Sequence, residues 1–214
     1  MIFIEQNTKS VYSESIKKLR VNVKYSSIDN KNKIILITST EKGEGKSTIA
    51  TNLSVDLSKN NEKTLIIDCD LRRPTIHKHF NISGSEGLTD CLAYNKNVES
   101  VIRKYNENLD ILPAGNIPPN PVELVSSLKL EKMLKELKEK YDYIIIDTTP
   151  LEIVADAQIL SSKVDGTIIV TRQGKTNKYR LLECKKCVEQ VGGKIIGITI
   201  NRYKMSEKIY SYSW

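Results

Sequence analysis

The chain has 214 residues, 39% of them hydrophobic and 28% charged, with a formal net charge of +7. That composition fits one folded globular domain and argues against a disordered chain. The longest apolar runs, IILI, LII, YIII and TIIV, fall far below the ~18 residues of a membrane span. The start, MIFIEQNTKS, lacks the basic-then-apolar pattern of a secretion signal. The lysines are spread along the chain, so the positive charge reads as a solvated surface and no nucleic acid is expected as a partner.

Residues 1–32 precede the first strand, and within them SVYSESIKKLRVNVKYSS puts Ile16, Leu19 and Val23 on one helical stripe. Short β-branched runs then alternate with helix-periodic segments: KIILITS (33–39), KTLIIDCD (63–70), NLDILPA (108–114), YDYIIIDT (141–148), DGTIIVT (165–171) and KIIGITIN (194–201). Such runs, separated by helices, predict a parallel sheet buried on both faces, hence an α/β doubly wound fold, mainly parallel and flanked by helices. Ile49, Ala50, Leu53 and Leu57 define one crossover helix. Leu124, Leu128, Leu134 and Leu137 define another, running from Pro121 to Lys140 behind the irregular loop AGNIPPNPVE (114–123).

Four cysteines without a framework spacing suggest free thiols in a reducing compartment. Cys184 and Cys187 form a CxxC inside RLLECKKCVEQV, which reads as two cysteines of a helix interior, with no second pair beside them to complete a zinc site. The tail from 203 to 214, YKMSEKIYSYSW, holds Tyr203, Tyr210, Tyr212 and the only tryptophan, and has too little aliphatic content to build a core.

The chemistry is concentrated after the first strand, in TSTEKGEGKSTIATNL. Gly43 and Gly45 let backbone N–H groups turn toward an anion, the helix N-terminus adds its dipole, Lys46 reaches the β- and γ-phosphates and Ser47 offers its hydroxyl to Mg²⁺. Thr40 stands where the general P-loop pattern has glycine, so the match is to the K-G-x-G-K-[ST] variant, with Lys42 and Glu44 filling the loop. ATP with Mg²⁺ is the expected ligand. Carboxylates are needed at neighbouring strand ends. LIIDCDLRRP supplies Asp68, Asp70 and Arg72, and YIIIDTTP supplies Asp147.

Those three stretches, together with ESIKKLRVNVKYSS, ILPAGNIPPNPVELVSS, VADAQILSSKVDGTIIV and GITIN, resemble the bacterial tyrosine kinases of capsule and exopolysaccharide production, built on a P-loop architecture like that of MinD and ParA. The resemblance covers nearly the whole chain, with residues 1–214 as a single kinase domain. It implies an autokinase in which Asp68 is the base for the incoming phenol, Asp70 and Asp147 hold Mg²⁺ beside Ser47, Thr48 meets the α-phosphate, and Asn201 with Arg202 recognises the adenine. On sequence the three aspartates are interchangeable in these roles.

The same resemblance makes Tyr203, Tyr210 and Tyr212 the phosphoacceptors. It makes Glu14, Lys17, Arg20 and Asn22 the oligomerisation stretch of a ring or other homo-oligomer. It further implies a transmembrane activator of the polysaccharide co-polymerase type, acting through its cytoplasmic tail, a resetting tyrosine phosphatase, and a cytoplasmic chain recruited to the inner face of the membrane. Three positions depart from the family pattern. Lys17 replaces an arginine and cannot make the same bidentate contact. Thr149 replaces the first proline of D-T-P-P, which should loosen that turn. Lys42 is the mark of the partition and septum-positioning ATPases. A MinD/ParA-type regulatory ATPase without kinase activity is therefore the competing expectation, and an idle ATP-binding adaptor of an export complex is a third.

Overall fold

In the computed structural model the described residues are 2–8, 10–26 and 32–203. β1 (Ile34–Ser39) is buried at all six positions and runs between two parallel neighbours, β5 (Tyr143–Asp147) and β6 (Gly166–Arg172). Outside β5 lies β2 (Thr64–Asp68), then β4 (Leu109–Leu112). Outside β6 lies β7 (Ile195–Asn201), again all parallel. These six coincide with the six runs that the sequence predicts as strands. A seventh, β3 (Arg103–Lys104), pairs antiparallel with β4, and at two residues it is too short to leave a hydrophobic pattern. The order across the sheet is β3-β4-β2-β5-β1-β6-β7.

The pleat sorts the strand residues onto two faces. Leu36, Leu65, Ile67, Ile144 and Ile146 pack with Val125, Leu130, Leu134, Leu137 and Leu160. These come from α7 (Pro121–Ser126), α8 (Leu128–Lys140) and α9 (Asp156–Ser161). Ile35, Ile37, Ile66 and Ile145 pack on the other face with Ile4, Ile16, Ile49, Leu53 and Leu57. Those belong to α1 (Phe3–Gln6), α2 (Val11–Lys24) and α3 (Lys46–Lys59). Short helices α4 (Ile76–His79), α5 (Leu88–Tyr94) and α6 (Val98–Val101) fill the connections, and α10 (Lys178–Gln190) precedes β7. Cys184 is buried on α10 against Ile169 and Val188. No helix of the described residues is long and apolar enough to cross a membrane.

One sequence expectation changes. The single helix from 121 to 140 is broken at Ser127, whose N–H closes α7 onto the Leu124 carbonyl (3.3 Å) while its hydroxyl caps α8 by accepting from the Leu130 N–H (3.2 Å). The break rotates Leu128 out to 73% exposure, and Leu130 takes the core position instead. The N-terminal helix, moreover, is an integral layer. Ile16 and Val23 of α2 are buried, and the Arg20 guanidinium pairs with the nearly buried Asp56 of α3 at 2.8 Å. Of the four residues assigned to oligomerisation, Arg20 thus faces inward, Lys17 is tied to Glu14 (2.6 Å) and the Thr8 carbonyl (3.0 Å), and Asn22 is exposed.

Candidate active site

The loop from Thr40 to Gly45 leaves the C-terminal end of β1 and feeds directly into α3. Gly43 (φ +82°) and Gly45 (φ +101°) are both left-handed, a conformation that side-chain-bearing residues resist. At Gly45 a Cβ would also lie 2.1 Å from the Asn201 amide nitrogen. The first α3 bond runs from the Ile49 N–H to the Gly45 carbonyl (3.0 Å). The N–H groups of Lys46, Ser47 and Thr48 therefore open the helix, as an anion cradle requires.

Strand register assembles the charges. Asp147 at the end of β5 is paired in register with Asp68 at the end of β2 on one side and Ile37 of β1 on the other. Lys46 reaches over them, with its Nζ 2.9 Å from Asp70 Oδ2, 3.3 Å from Ser47 Oγ and 3.7 Å from Asp147 Oδ1. Lys46, Ser47, Asp68, Asp70 and Asp147 thus form one cluster.

The three aspartates, interchangeable in sequence, differ in structure. Asp68 is fully buried and anchors the following loop: Oδ2 accepts from the Thr75 and Ile76 N–H groups (both 2.9 Å) and Oδ1 from the Asp70 N–H (3.1 Å). Asp70 is committed to Lys46. Asp147 is also fully buried, and its carboxylate has no hydrogen-bond partner at ordinary distance among the described residues; Ser47 and, at 3.7 Å, Lys46 are the polar groups that face it. Burial and the neighbouring Asp147 charge push Asp68 up to about 7, against the backbone donors of residues 75 and 76. Burial pushes Asp147 up to about 6 against the attraction of Lys46. Burial alone would lower Lys46, but Asp147, Asp70 and Asp68 together hold it above the ordinary lysine value.

These shifts have a signed consequence. Because both carboxyls titrate higher in the folded chain than in the unfolded one, the folded state holds more protons between about pH 4 and 7, and stability falls as pH rises through that window. Thermal unfolding of the nucleotide-free protein is expected to give a higher midpoint near pH 5.5 than near pH 8, by a few degrees (~1–2 kcal/mol). A midpoint that rises over the same interval would show that the pair is not held protonated by its surroundings.

Contacts around the cluster hold its loops in place. Arg72 pairs with the buried Asp156 at the start of α9 (2.9 Å), tying the loop after β2 to the far side of the site. The turn at Thr149 is held through its backbone, whose carbonyl accepts from the Thr38 hydroxyl at 2.8 Å, a bond that a proline there would also make. Glu44, placed among the nucleotide-binding residues from sequence, turns its side chain inward and is fully buried, leaving only its backbone on the cradle. Lys42 is exposed, and its carbonyl accepts from Lys175 Nζ (2.9 Å). Asn201 donates to the Glu44 carbonyl (2.8 Å) and accepts from the N–H of Arg202, itself left-handed (φ +55°). Asp156 and Thr176, which bonds Glu44, carry no local motif that would have marked them. Tyr203 is described and half-exposed at the end of β7, whereas Tyr210 and Tyr212 lie outside the described residues.

A doubly wound sheet with a glycine loop, a buried lysine and strand-end carboxylates defines the P-loop ATPase class, and the AAA domain family matches residues 32–192. Within that class the chain is 40% identical to the tyrosine-protein kinase YwqD of Bacillus subtilis over 200 residues, covering 93% of this chain and 84% of the relative. It superposes on the chimerical protein CapA2B2 with a TM-score of 0.90 at 36% identity, covering 95% of this chain and 90% of the other. The septum site-determining protein MinD of Pyrococcus horikoshii, complexed with Mg-ADP, matches with a TM-score of 0.69 at 31% identity over 82% of this chain and 72% of its own. The chain belongs to the bacterial tyrosine kinase family, and its likeness to MinD is one of shared architecture.

Proposed function

We propose that this kinase transfers the γ-phosphoryl group of ATP to its own C-terminal tyrosines, Tyr203, Tyr210 and Tyr212, and thereby regulates capsule or exopolysaccharide production. The observation that carries the reading is the arrangement at Asp147: two buried carboxylate oxygens without a hydrogen-bond partner at ordinary distance among the described residues, beside a lysine already held by Asp70, at the mouth of a phosphate cradle. Hard carboxylate oxygens that only Lys46 and Ser47 approach suit Mg²⁺, which would supply charge neutralisation on the phosphates. The Mg-ADP of the MinD relative supports the same assignment. Asp147 and Ser47 are the proposed ligands, with Asp70 joining when Lys46 turns to the phosphates.

The phenol oxygen of a tail tyrosine attacks the γ-phosphorus, the bond to the β,γ-bridging oxygen breaks, ADP departs, and the phenolic proton goes to a base. A phenol of pKa about 10 needs that help near neutrality. Asp68, raised toward 7, suits the role. It accepts the proton when one of its bonds to residues 75 and 76 gives way, so the loop after β2 controls the base. Thr48 would meet the α-phosphate, and Asn201 with Arg202 would stand on the adenine side.

The tail would be offered to a neighbouring copy, with Glu14, Lys17 and Asn22 on the outer side of α2 contributing to assembly. Each phosphate adds about −1.5 to −2 charges to a segment carrying Arg202, Lys204 and Lys208, which would release the assembly. Activation by the cytoplasmic tail of a transmembrane partner, recruitment by it to the inner membrane face, and reversal by a tyrosine phosphatase complete the proposal. The test is a variant with Tyr203→Phe, Tyr210→Phe and Tyr212→Phe, incubated with ATP and Mg²⁺. Loss of nearly all phosphotyrosine with nucleotide binding intact is expected, and an undiminished signal would exclude the tail as acceptor.

A further inference from the structure

We propose that Glu44 is a positioning residue whose side chain clamps the P-loop to the loop between β6 and α10, so that Thr176 helps set the shape of the phosphate cradle. This rests on the nucleotide-binding reading of that loop but assigns it a control that no phosphate-contacting residue supplies. Glu44 lies between the two left-handed glycines, and its carboxylate is fully buried. Oε2 accepts from the Thr40 hydroxyl (2.7 Å) and the Glu41 N–H (2.8 Å), both within the P-loop. Oε1 accepts from the hydroxyl of Thr176, 132 residues away in sequence.

The direction of that last bond is fixed. The Thr176 oxygen itself accepts from the Arg172 N–H (2.8 Å), which leaves its single proton for Glu44. Hydrogen bonds to a carboxylate are about twice as strong as neutral ones, and here all three donors are uncharged, so the carboxylate depends on them.

Other contacts grip the same stretch from the same side. Lys175 donates to the Lys42 carbonyl (2.9 Å) and lies 3.6 Å from Glu41, Arg180 pairs with Glu41 at 2.9 Å, and Asn201 holds the Glu44 carbonyl. Residues 41, 42 and 44 are thus fastened from outside, while Lys46, Asp70 and Asp147 stand on the phosphate side. A loop with two glycines has much conformational freedom to lose. Donors held in place before the ligand arrives bind an anion more tightly than donors ordered by it.

The prediction concerns affinity more than folding. With ADP as the probe, so that no phosphoryl transfer intervenes, Glu44→Ala is expected to raise Kd by about tenfold or more and Thr176→Val by about fivefold. The double variant should lose less than the sum of the two single losses, because the bond between Glu44 and Thr176 is common to both. Thr176→Ser keeps the hydroxyl and should stay within about twofold of wild type, whereas Glu44→Gln keeps the bonds from Thr40 and Glu41 but reverses the one to Thr176, so an intermediate loss is expected. Thermal unfolding of each variant is measured in parallel, and Thr176→Val, which removes one hydroxyl, carries the test if Glu44→Ala does not fold. Lowered melting temperatures with unchanged ADP affinity would reduce Glu44 to a structural residue, and additive losses in the double variant would break the clamp into independent contacts. Wild-type protein that binds no ADP would overturn the nucleotide-binding reading itself and the clamp with it.

Discussion

Lys46→Met lowers phosphotyrosine formation by about three orders of magnitude or more, since a preorganised cation on the transferring phosphoryl group supplies several kcal/mol of transition-state stabilisation. The lysine is already positioned for that work, with its charge stabilised by carboxylates on two different strand ends. A Met side chain keeps much of the volume and removes the charge together with the hydrogen bonds to Asp70 and Ser47. Asp70 and Asp147 then share the site without a counter-ion, and one of them takes up a proton instead of ionising, so the fold is expected to survive. Phosphate incorporation into the tail, measured beside thermal unfolding, separates the two effects. A variant that melts normally yet phosphorylates at even a tenth of the wild-type rate would remove Lys46 from the centre of the mechanism.

Asp147→Asn should produce an opposite pair of changes. Activity falls about 100-fold or more, because the amide is a poor Mg²⁺ ligand and the carboxylate oxygens are the part of the site best suited to the metal. Stability of the nucleotide-free protein rises by about 1–2 kcal/mol, because a buried carboxylate pushed up to about 6 and facing Asp68 is replaced by a neutral group, less the lost attraction to Lys46. A residue that merely holds the fold would lose stability on substitution. The thermal midpoint and the rate, read on the same preparation, decide between these. A lower midpoint would mean that Asp147 is held by contacts that outweigh its desolvation.

The central strands β1, β2, β5 and β6 were legible in the sequence because each is buried on both faces, so burial leaves an uninterrupted apolar run; β7 was legible from its β-branched residues, although Ile198 and Ile200 are exposed. Lys46, Ser47, Asp68, Asp70 and Asp147 were legible because phosphate chemistry constrains residue type and spacing over a few positions. The break at Ser127 was hidden: a helical apolar period continues through it by chance, and the serine that ends one helix caps the next. Residues joined through space left even less trace. Arg20 reads as a surface cation until Asp56 is seen opposite it, and nothing near Thr176 in sequence announces Glu44. Glu44 reads from sequence only as a loop residue, since sequence order does not say which way a side chain between two left-handed glycines points.

A kinase of this reading delivers phosphate from its P-loop to the chain's own tail, whereas a regulatory ATPase delivers it to water. Mass spectrometry of the C-terminal peptide, after the purified protein has been incubated with ATP and Mg²⁺, alone and with the cytoplasmic tail of the proposed membrane activator, distinguishes the two. Phosphate on Tyr203, Tyr210 or Tyr212 in the wild type and on none of them in Lys46→Met is the predicted result. Free phosphate released at the same lysine-dependent rate with the tail unmodified would contradict it and mark the chain as a nucleotide-gated ATPase of the MinD kind.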